Sequence, residues 1–359
     1  MNDLNWLNNI KSNINSFLEN MSENEYSYFK YSLSGDILNS SSHWGLANLV
    51  FAVKILYITG LIDEISETKR ENLYKNIIKF SDEEGYLYDP YITKIELKDL
   101  FEKLISGKIK RHKGIKESET RQTFTALRLL DKKPLKPFLH IPYTQDEAKK
   151  FIGSLNWSLP WGAGAHFSFL LYFLYVNNYF FQYKDTESKE LINFLVEWVF
   201  KIQSKENGCW YLGENVPLFQ KVNGAMKVLT AFHAVDIWEF PYPKKLIDTA
   251  LLAANDKEAC SNFNVIYVLY SCNLIEPDYR KSEIEDFCLK RLDIYRNFYY
   301  PEIGGFSFFE NKANTYIYGK KISVGKNEPD IHGTILFLFG IAIIDKILRL
   351  DLDFKVPVN

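Results

Sequence analysis

The sequence predicts an all-α fold, an (α/α)6 toroid of six inner and six outer helices. The first supporting observation is an alternation of apolar and amphipathic helical segments along 359 residues. The second is that polar residues gather where the apolar segments begin. A helix that is apolar all round must be buried on every side, whereas a helix with one apolar stripe lies at the surface. A ring of such pairs can exceed the size of a single core, because each pair packs only on its neighbours.

The six apolar segments are the predicted inner helices, and an amphipathic segment precedes each of them. In the first amphipathic segment, Leu7, Ile10, Ile14 and Phe17 form one stripe at helical spacing. No linker or break in composition separates the pairs, so the prediction is a single domain over residues 1–359. The apolar segments cover residues 46–60, 123–130, 167–176, 225–235, 263–271 and 334–344, and the amphipathic segments cover 4–21, 69–81, 144–155, 187–203, 243–255 and 281–298.

Two long connections, 82–118 and 299–329, join outer to inner helices. Loops of this length are usually functional or disordered, and the topology places both at the end where the inner helices start. We therefore expect them to form the rim of a central cavity. The first connection carries a basic run that either steers an anionic substrate or is a solvated loop: Lys103, Lys108, Lys110, Arg111, Lys113 and Lys116.

Composition limits the partners and the compartment. The net charge is −2, which gives no electrostatic reason for nucleic acid or an anionic membrane as partner. The four cysteines form no CxxC pair, a pattern typical of reduced thiols in the cytoplasm. The N-terminus has no signal-peptide pattern, and the longest uncharged apolar run, 333–344, ends at Asp345. We expect a soluble cytoplasmic protein with a small-molecule partner, of unspecified oligomeric state.

Polar side chains at the inner-helix starts form the predicted site. Helix N-termini carry free N–H groups and partial positive charge, and these residue types supply acids, bases and hydrogen bonds. The alternative is that the Ser, Asn, Asp and Glu residues are only helix caps. The predicted ring comprises His43, Glu119, Arg121, Gln122, His166, Lys221, Asn223, Ser261, Asn262, Asn264, Asp330 and His332.

Three of the six histidines lie in this ring, and histidine is a proton carrier near neutral pH rather than a preferred cap. We therefore expect His166 and His332 to be catalytic, with Asp330 orienting His332 or ligating a metal. No cofactor is predicted. A divalent metal held by Cys260, Asp330 and His332 is the alternative, although their spacing gives no zinc signature.

Several other residues of the ring, together with two tryptophans that precede inner helices, are predicted to bind substrate. Arg121 opposes the dipole at a helix start, which indicates a carboxylate or phosphate partner, or else Glu119. Trp161 and Trp210 precede inner helices, where they would stack on a sugar, shield a carbocation or simply pack. The full predicted binding set is His43, Arg121, Gln122, Trp161, Trp210, Lys221, Asn223 and Asn262.

Three amphipathic segments run into a glycine followed by aromatic residues. The phrases are Glu84-Gly85-Tyr86-Leu87, Asn207-Gly208-Cys209-Trp210-Tyr211 and Gly304-Gly305-Phe306-Ser307-Phe308. Together with the helix starts at 119–127 and 329–334, they resemble the repeats of the terpenoid cyclase and protein prenyltransferase toroids. The resemblance implies a central cavity for an isoprenoid or a small anionic substrate.

The chain departs from this family at the catalytic acid. Class II cyclases protonate an alkene with the middle aspartate of DxDDT, whereas this chain reads Asp330-Ile331-His332-Gly333-Thr334. A histidine cannot protonate an isolated alkene, so we expect a different reaction that uses histidine as acid or base. Two alternatives stay open. One is a carbohydrate-active toroid, such as a polysaccharide lyase, an epimerase or an unsaturated-uronide hydrolase, and the other is a binding toroid without catalysis.

Overall fold

The computed structural model describes residues 4–38, 43–95, 104, 110–253 and 256–357. Within them the chain forms twelve α-helices and three two-stranded hairpins, so the predicted all-α class is confirmed. The helices are α1 (Ile10–Met21), α2 (Leu46–Thr59), α3 (Glu67–Ile78), α4 (Lys110–Leu129), α5 (Gln145–Ser154), α6 (Pro160–Phe181), α7 (Asp185–Lys201), α8 (Leu218–Ala234), α9 (Pro243–Ala250), α10 (Ala259–Ile275), α11 (Lys281–Arg296) and α12 (Ile331–Leu348).

Each of the twelve predicted segments corresponds to one helix. Five of the six inner helices begin earlier than predicted, and α2 begins at Leu46 as predicted. The clearest case is α4, which begins at Lys110 rather than at 123. Near the middle of this helix, Thr120 and Thr123 return their hydroxyls to the carbonyl oxygens four residues earlier. Glu119, Arg121 and Gln122 therefore lie in the middle of α4 and not at a helix start.

The basic run is described only in part. Lys103 and Lys108, and the side chains of Lys110 and Arg111, lie outside the described residues. Lys113 forms a pair with Glu117 along α4 at 3.6 Å, and the Nζ of Lys116 lies 3.7 Å from Asp82. The two lysines whose side chains are described are thus engaged in local pairs.

The described chain divides into two compact units. Unit 1 comprises residues 137–297 and 336–359, and unit 2 comprises residues 4–136 and 298–335. The prediction of a single domain stays a prediction.

In unit 1 the apolar helices α6, α8 and α10 pack side by side in sequence, and α7, α9 and α11 pack against them. The contact between α6 and α8 depends on two glycines. A Cβ on Gly224 would lie 2.7 Å from the Cβ of Pro160, and a Cβ on Gly164 would lie 2.9 Å from the carbonyl oxygen of Gly224. The absence of side chains there lets the two backbones approach closely.

In unit 2 the apolar helix α2 packs against α4 and α3. Asp89 accepts a hydrogen bond from the Gly45 N–H at 2.8 Å and so caps the start of α2. The long connection after α11 is built from hairpins rather than from open loop. One hairpin, of β1 (Ser22–Glu23) with β2 (Tyr28–Phe29), follows α1. The connection after α11 contains the other two hairpins, of β3 (Tyr299–Tyr300) with β4 (Gly305–Phe306) and of β5 (Tyr316–Ile317) with β6 (Lys320–Lys321).

Among the described residues, one helix of 18 residues, α12, is long and apolar enough to cross a membrane. It is 72% buried inside the protein, and core helices of water-soluble proteins meet the same criteria of length and composition.

Candidate functional site

A cavity of about 330 Å³ lies in unit 2. Its size is at the small end of the range for ligand pockets. Most of its lining is aliphatic or aromatic: Leu46, Ala47, Val50, Phe51, Phe308, Tyr316, Ile317 and Tyr318. Five polar side chains complete the lining: Glu119, Gln122, Thr123, Asn314 and His332.

The second residue of α12, His332, lies in an aromatic cage. Its ring stacks on Phe51, with ring centroids 4.7 Å apart and planes 12° from parallel, and Phe308 packs on it at 4.8 Å. Burial, reinforced by the positive charge of Lys54, lowers the pKa of His332 to about 4. The imidazole is therefore neutral at neutral pH, while one part of it lines the cavity.

Tyr31 holds this imidazole in place. Its hydroxyl lies 3.2 Å from Nδ1 of His332, and it accepts a hydrogen bond of 2.9 Å from Nδ2 of Asn314. Tyr31 is fully buried, whereas the imidazole of His332 is partly exposed. The Nδ1 edge of His332 is thus occupied by protein, which leaves Nε2 as the nitrogen for a ligand.

Asp330 is engaged with the backbone. Its carboxylate accepts hydrogen bonds from the N–H groups of Phe308 at 2.8 Å, Asn314 at 3.0 Å and Gly333 at 2.8 Å. Burial raises the pKa of Asp330 to about 6, against the opposing effect of these bonds. Asp330 thereby caps α12 and ties the preceding loops to it, and the group that contacts the imidazole Nδ1 of His332 is Tyr31.

Glu119 presents a buried carboxyl group to the cavity. Its Oε2 accepts the N–H of Asp89 at 2.7 Å, whereas its Oε1 has no hydrogen-bond partner in the described structure. Burial and the nearby charge of Asp89 raise the pKa of Glu119 well above its usual range. In its protonated form, which burial favours, this carboxyl group can donate a hydrogen bond.

Gln122 lines the cavity one helical turn after Glu119. Its Oε1 accepts a hydrogen bond from Nζ of Lys54, a buried lysine of α2. Since an ammonium group can only donate, this bond fixes the amide orientation. The NH₂ group of Gln122 is left as the donor for other partners.

The β5–β6 hairpin lines the cavity together with α2 and α4. It turns through Tyr318 and Gly319, which have φ values of 48° and 80°, as two-residue hairpins require. The Tyr318 hydroxyl lies 2.8 Å from that of Ser118 on α4, and Asn314 Nδ2 donates to the Tyr316 carbonyl at 2.9 Å. These bonds fix the hairpin to α4 and to the Tyr31–His332 pair.

The other predicted site residues of unit 2 lie away from the cavity lining. His43 is exposed and packs on Phe80, with ring centroids 4.6 Å apart. Arg121 is 5% exposed within α4, but it does not contribute to the lining. Of the predicted residues in this unit, the structure brings Gln122 and His332 together.

In unit 1 the aromatic and histidine candidates occupy different positions. Trp210 is fully buried against Phe232 and Phe240, in agreement with the packing alternative. Trp161 and His166 are partly exposed residues of α6. Their binding and catalytic roles stay predictions.

The remaining predicted residues of unit 1 have local partners. The Nζ of Lys221 lies 4.7 Å from the ring centroid of Tyr211. Asn223 accepts a hydrogen bond from Asn264 at 2.9 Å and lines a smaller cavity of about 230 Å³. Asn262 accepts a hydrogen bond from Arg291 at 3.1 Å.

In the part of the chain that the structure describes, no three His, Cys, Asp or Glu side chains are grouped as they would be to hold a metal ion. This applies to Cys260, Asp330 and His332 as to any other set.

Three residues of the site are absent from the sequence-based predictions: Tyr31, Lys54 and Asn314. Lys54 does leave a signal, because it is the one charged residue in the apolar stretch 46–60. A lysine inside a buried helix needs a specific partner. Tyr31 and Asn314 lie in irregular segments with no periodicity to mark them.

Comparison with protein-family models, with curated proteins and with solved structures gave no match. The function must therefore be argued from the cavity itself.

Proposed function

We propose that the chain is an enzyme that performs general acid–base catalysis on a small, largely apolar substrate in the unit 2 cavity. The observation that carries the proposal is that His332 and Glu119, whose pKa values are shifted in opposite directions, line one cavity. Environments that push the pKa values of two titratable groups apart are typical of acid–base pairs in active sites.

In this proposal His332 is the base. The Tyr31 oxygen has two lone pairs, which can accept from Nδ2 of Asn314 and from the Nδ1–H of His332. That tautomer directs the Nε2 lone pair to the substrate. Tyr31 acts through His332 and is a positioning residue.

Glu119 is the proposed acid. Its carboxyl carries a proton because burial and Asp89 disfavour its charged form. It would donate this proton to a substrate oxygen while His332 accepts one from the substrate or from water.

The lining favours an apolar substrate over a sugar. Phe51, Phe308 and Leu46 form the walls, and the lining contains no tryptophan or arginine among the described residues. Pyranose rings are commonly held by stacking on tryptophan and by several polar side chains. In this cavity, polar side chains lie on one side only.

The arrangement of the twelve helices as an (α/α)6 toroid belongs to the same proposal. Its support is the strict alternation of amphipathic and apolar helices, and the side-by-side packing of successive apolar helices within each unit. We further propose a cytoplasmic location, since all four cysteines are free. The proposed enzyme needs no cofactor, nucleic acid or membrane insertion.

The test is untargeted turnover. The purified protein is incubated with a small-molecule cell extract, and mass spectrometry identifies compounds that the wild type consumes or forms. His332→Gln and Glu119→Gln should each reduce that conversion by about 10²-fold or more, the usual scale of acid–base catalysis. His140→Gln, at an exposed histidine, is the matched control. Equal conversion by wild type and His332→Gln would overturn the proposal.

Tyr31→Phe separates positioning from folding. It should reduce turnover less than His332→Gln does, and it should change the tautomer of His332. The tautomer is read from the ¹⁵N shifts of the imidazole, which a purely structural role of Tyr31 would leave unchanged. Unchanged ¹⁵N shifts would remove Tyr31 from the mechanism.

A further inference from the structure

We propose that the unit 2 cavity binds a small apolar molecule through a carboxylate head group, which receives hydrogen bonds from Glu119 and Gln122. The proposal deepens the proposed function, because it names the substrate class of the same site. It rests on the donors that the polar side of the cavity offers.

The first donor is Glu119. Its residue is 4% exposed, its Oε2 is used by the Asp89 N–H, and its Oε1 has no partner within the described structure. A buried polar atom without a partner is costly, and native structures usually contain it for a ligand or a function. The protonated carboxyl has one O–H to donate, so its natural partner is an acceptor oxygen.

The second donor is the NH₂ group of Gln122. Lys54 occupies the amide oxygen, so the amide cannot turn its acceptor toward the cavity without losing that bond. Gln122 and Glu119 lie on the same helix, three positions apart, and both line the cavity. Residues three apart on a helix share a face, so the two donors can converge on one head group.

Two other polar side chains of the lining, Asn314 and Thr123, are already used within the protein. Asn314 donates to Tyr31 and to the Tyr316 carbonyl, and its Oδ1 accepts the Tyr316 N–H at 3.3 Å. It therefore stabilises the site rather than the ligand. Glu119 and Gln122 are therefore the two donors that we assign to the head group.

Charge selects a monoanion. Lys54 is buried behind Gln122, and its positive charge reaches the cavity, since it acts on His332. The described lining itself contains no lysine or arginine. One cation in the second layer suits the single charge of a carboxylate, whereas a diphosphate would bury further charges without partners.

The apolar wall of the cavity determines which ligand groups fit beyond the carboxylate. The cavity of about 330 Å³ is lined by Leu46, Val50 and Phe51 of α2 and by Ile317 of the hairpin. A short branched or aromatic chain fits this volume, and hydrophobic burial of that chain would supply most of the affinity.

The experiment is calorimetric titration at pH 7 with matched probes. Phenylacetate, 4-methylpentanoate and octanoate are compared with the corresponding primary alcohols, and with dimethylallyl and geranyl diphosphate. We expect at least one carboxylate to bind about tenfold or more tightly than its alcohol, because charge-assisted hydrogen bonds exceed neutral ones. An alcohol that binds as tightly, a diphosphate that binds more tightly, or no carboxylate binding at about millimolar concentration would overturn the proposal.

Variants locate the effect. Gln122→Glu keeps a partner for Lys54 but replaces the donor with a carboxylate, so it should weaken carboxylate binding about tenfold or more while sparing the alcohols. Gln145→Glu makes the same change at an exposed position and is the control. If Gln122→Glu does not fold, Lys54→Met tests the same preference by removing the charge. Unchanged carboxylate affinity in the folded variant contradicts the proposal.

Carboxylate binding can be tested separately from catalysis. His332→Gln should lose turnover and retain carboxylate binding. Carboxylate binding without any turnover by the wild type would reject the proposed function and leave the binding site in place. Turnover of a compound without a carboxylate would do the opposite.

Discussion

At the scale of single residues, His332 links stability to pH. Burial lowers its pKa to about 4 from an unfolded value near 6.5, so the folded state binds fewer protons than the unfolded state between these values. Its contribution is fully present above pH 6.5 and is lost as the pH falls toward 4. The loss amounts to about 3 kcal/mol, from 1.36 kcal/mol per pKa unit.

The pH dependence of wild-type stability alone does not isolate the contribution of His332. Burial raises the pKa of Asp89 and Asp330 to about 6, so their contributions are lost as the pH rises from about 4 to 6, in the opposite direction. The measurement is therefore a difference. Urea denaturation at pH 7 and pH 4.5 should show that wild type loses more stability on acidification than His332→Gln does. Parallel curves would contradict the assigned burial, and His140→Gln is the control.

Asp330 illustrates a carboxylate that is needed for the fold. Asp330→Ala leaves the N–H groups of Phe308, Asn314 and Gly333 without their acceptor. Each buried unpaired donor costs about 1–3 kcal/mol, and removal of a buried charge returns part of this, so we expect a net loss of about 3 kcal/mol. Urea denaturation measures it, with the exposed Asp293→Ala as control. A loss below about 1 kcal/mol would exclude this capping role.

The sequence identified part of the site at this scale. His332 and Gln122 were predicted as site residues because they precede apolar helical runs, whereas Glu119 was interpreted as a helix cap. Lys54 was visible in principle as a charge inside such a run. Tyr31 and Asn314 were not, because long-range contacts, such as the bond between residues 31 and 332, are fixed by tertiary packing rather than by local pattern.

At the scale of elements, replacing glycine with alanine is expected to have opposite effects on stability at two positions. Gly224 lies in the close contact of α6 and α8, whereas Gly153 lies on α5. Gly224→Ala would place a Cβ 2.7–2.9 Å from the side chain and backbone of Pro160. Overpacking of this kind costs about 1–3 kcal/mol, which exceeds the gain in helix propensity. Gly153→Ala on α5 meets nothing within 4 Å, so it should stabilise by about 0.5–1 kcal/mol.

Thermal denaturation of the two variants tests this pair. A lower melting temperature for Gly224→Ala and a higher one for Gly153→Ala is the expected result. If both variants melt higher than wild type, α6 and α8 are not in close contact at this position.

Within the described part of the chain, periodicity predicted each of the helices α1–α12 but misplaced several starts. The apolar runs marked where each helix is fully buried, whereas α4 continues upstream through residues whose hydroxyls bond back to the helix, as at Thr120. The hairpins of residues 299–321 were missed because two-residue strands are too short to show alternation. The hairpin β5–β6 nevertheless supplies part of the cavity, so the least predictable element is one that shapes the site.

At the scale of the whole molecule, the four thiols report on both burial and compartment. Cys209, Cys272 and Cys288 are buried and Cys260 is partly accessible, all as free thiols. Burial raises the pKa of Cys209, Cys260 and Cys288 to about 12, and that of Cys272 well above its usual range. Because the thiolate is the reactive form, the folded protein should react very slowly with a thiol reagent at pH 8.

The expected titration has two stages. Folded protein should show at most one slowly reacting thiol, which Cys260→Ser removes, and denatured protein without reductant should show four. This outcome would support the cytoplasmic assignment, since reduced thiols persist in that compartment. Fewer than four thiols after denaturation would mean that the protein acquires a disulfide, and it would remove the chemical argument for the cytoplasm. Rapid reaction of several thiols in folded protein would instead show that α10, α11 and the segment around Cys209 open readily, because the core thiols are protected only while these parts of the chain stay packed.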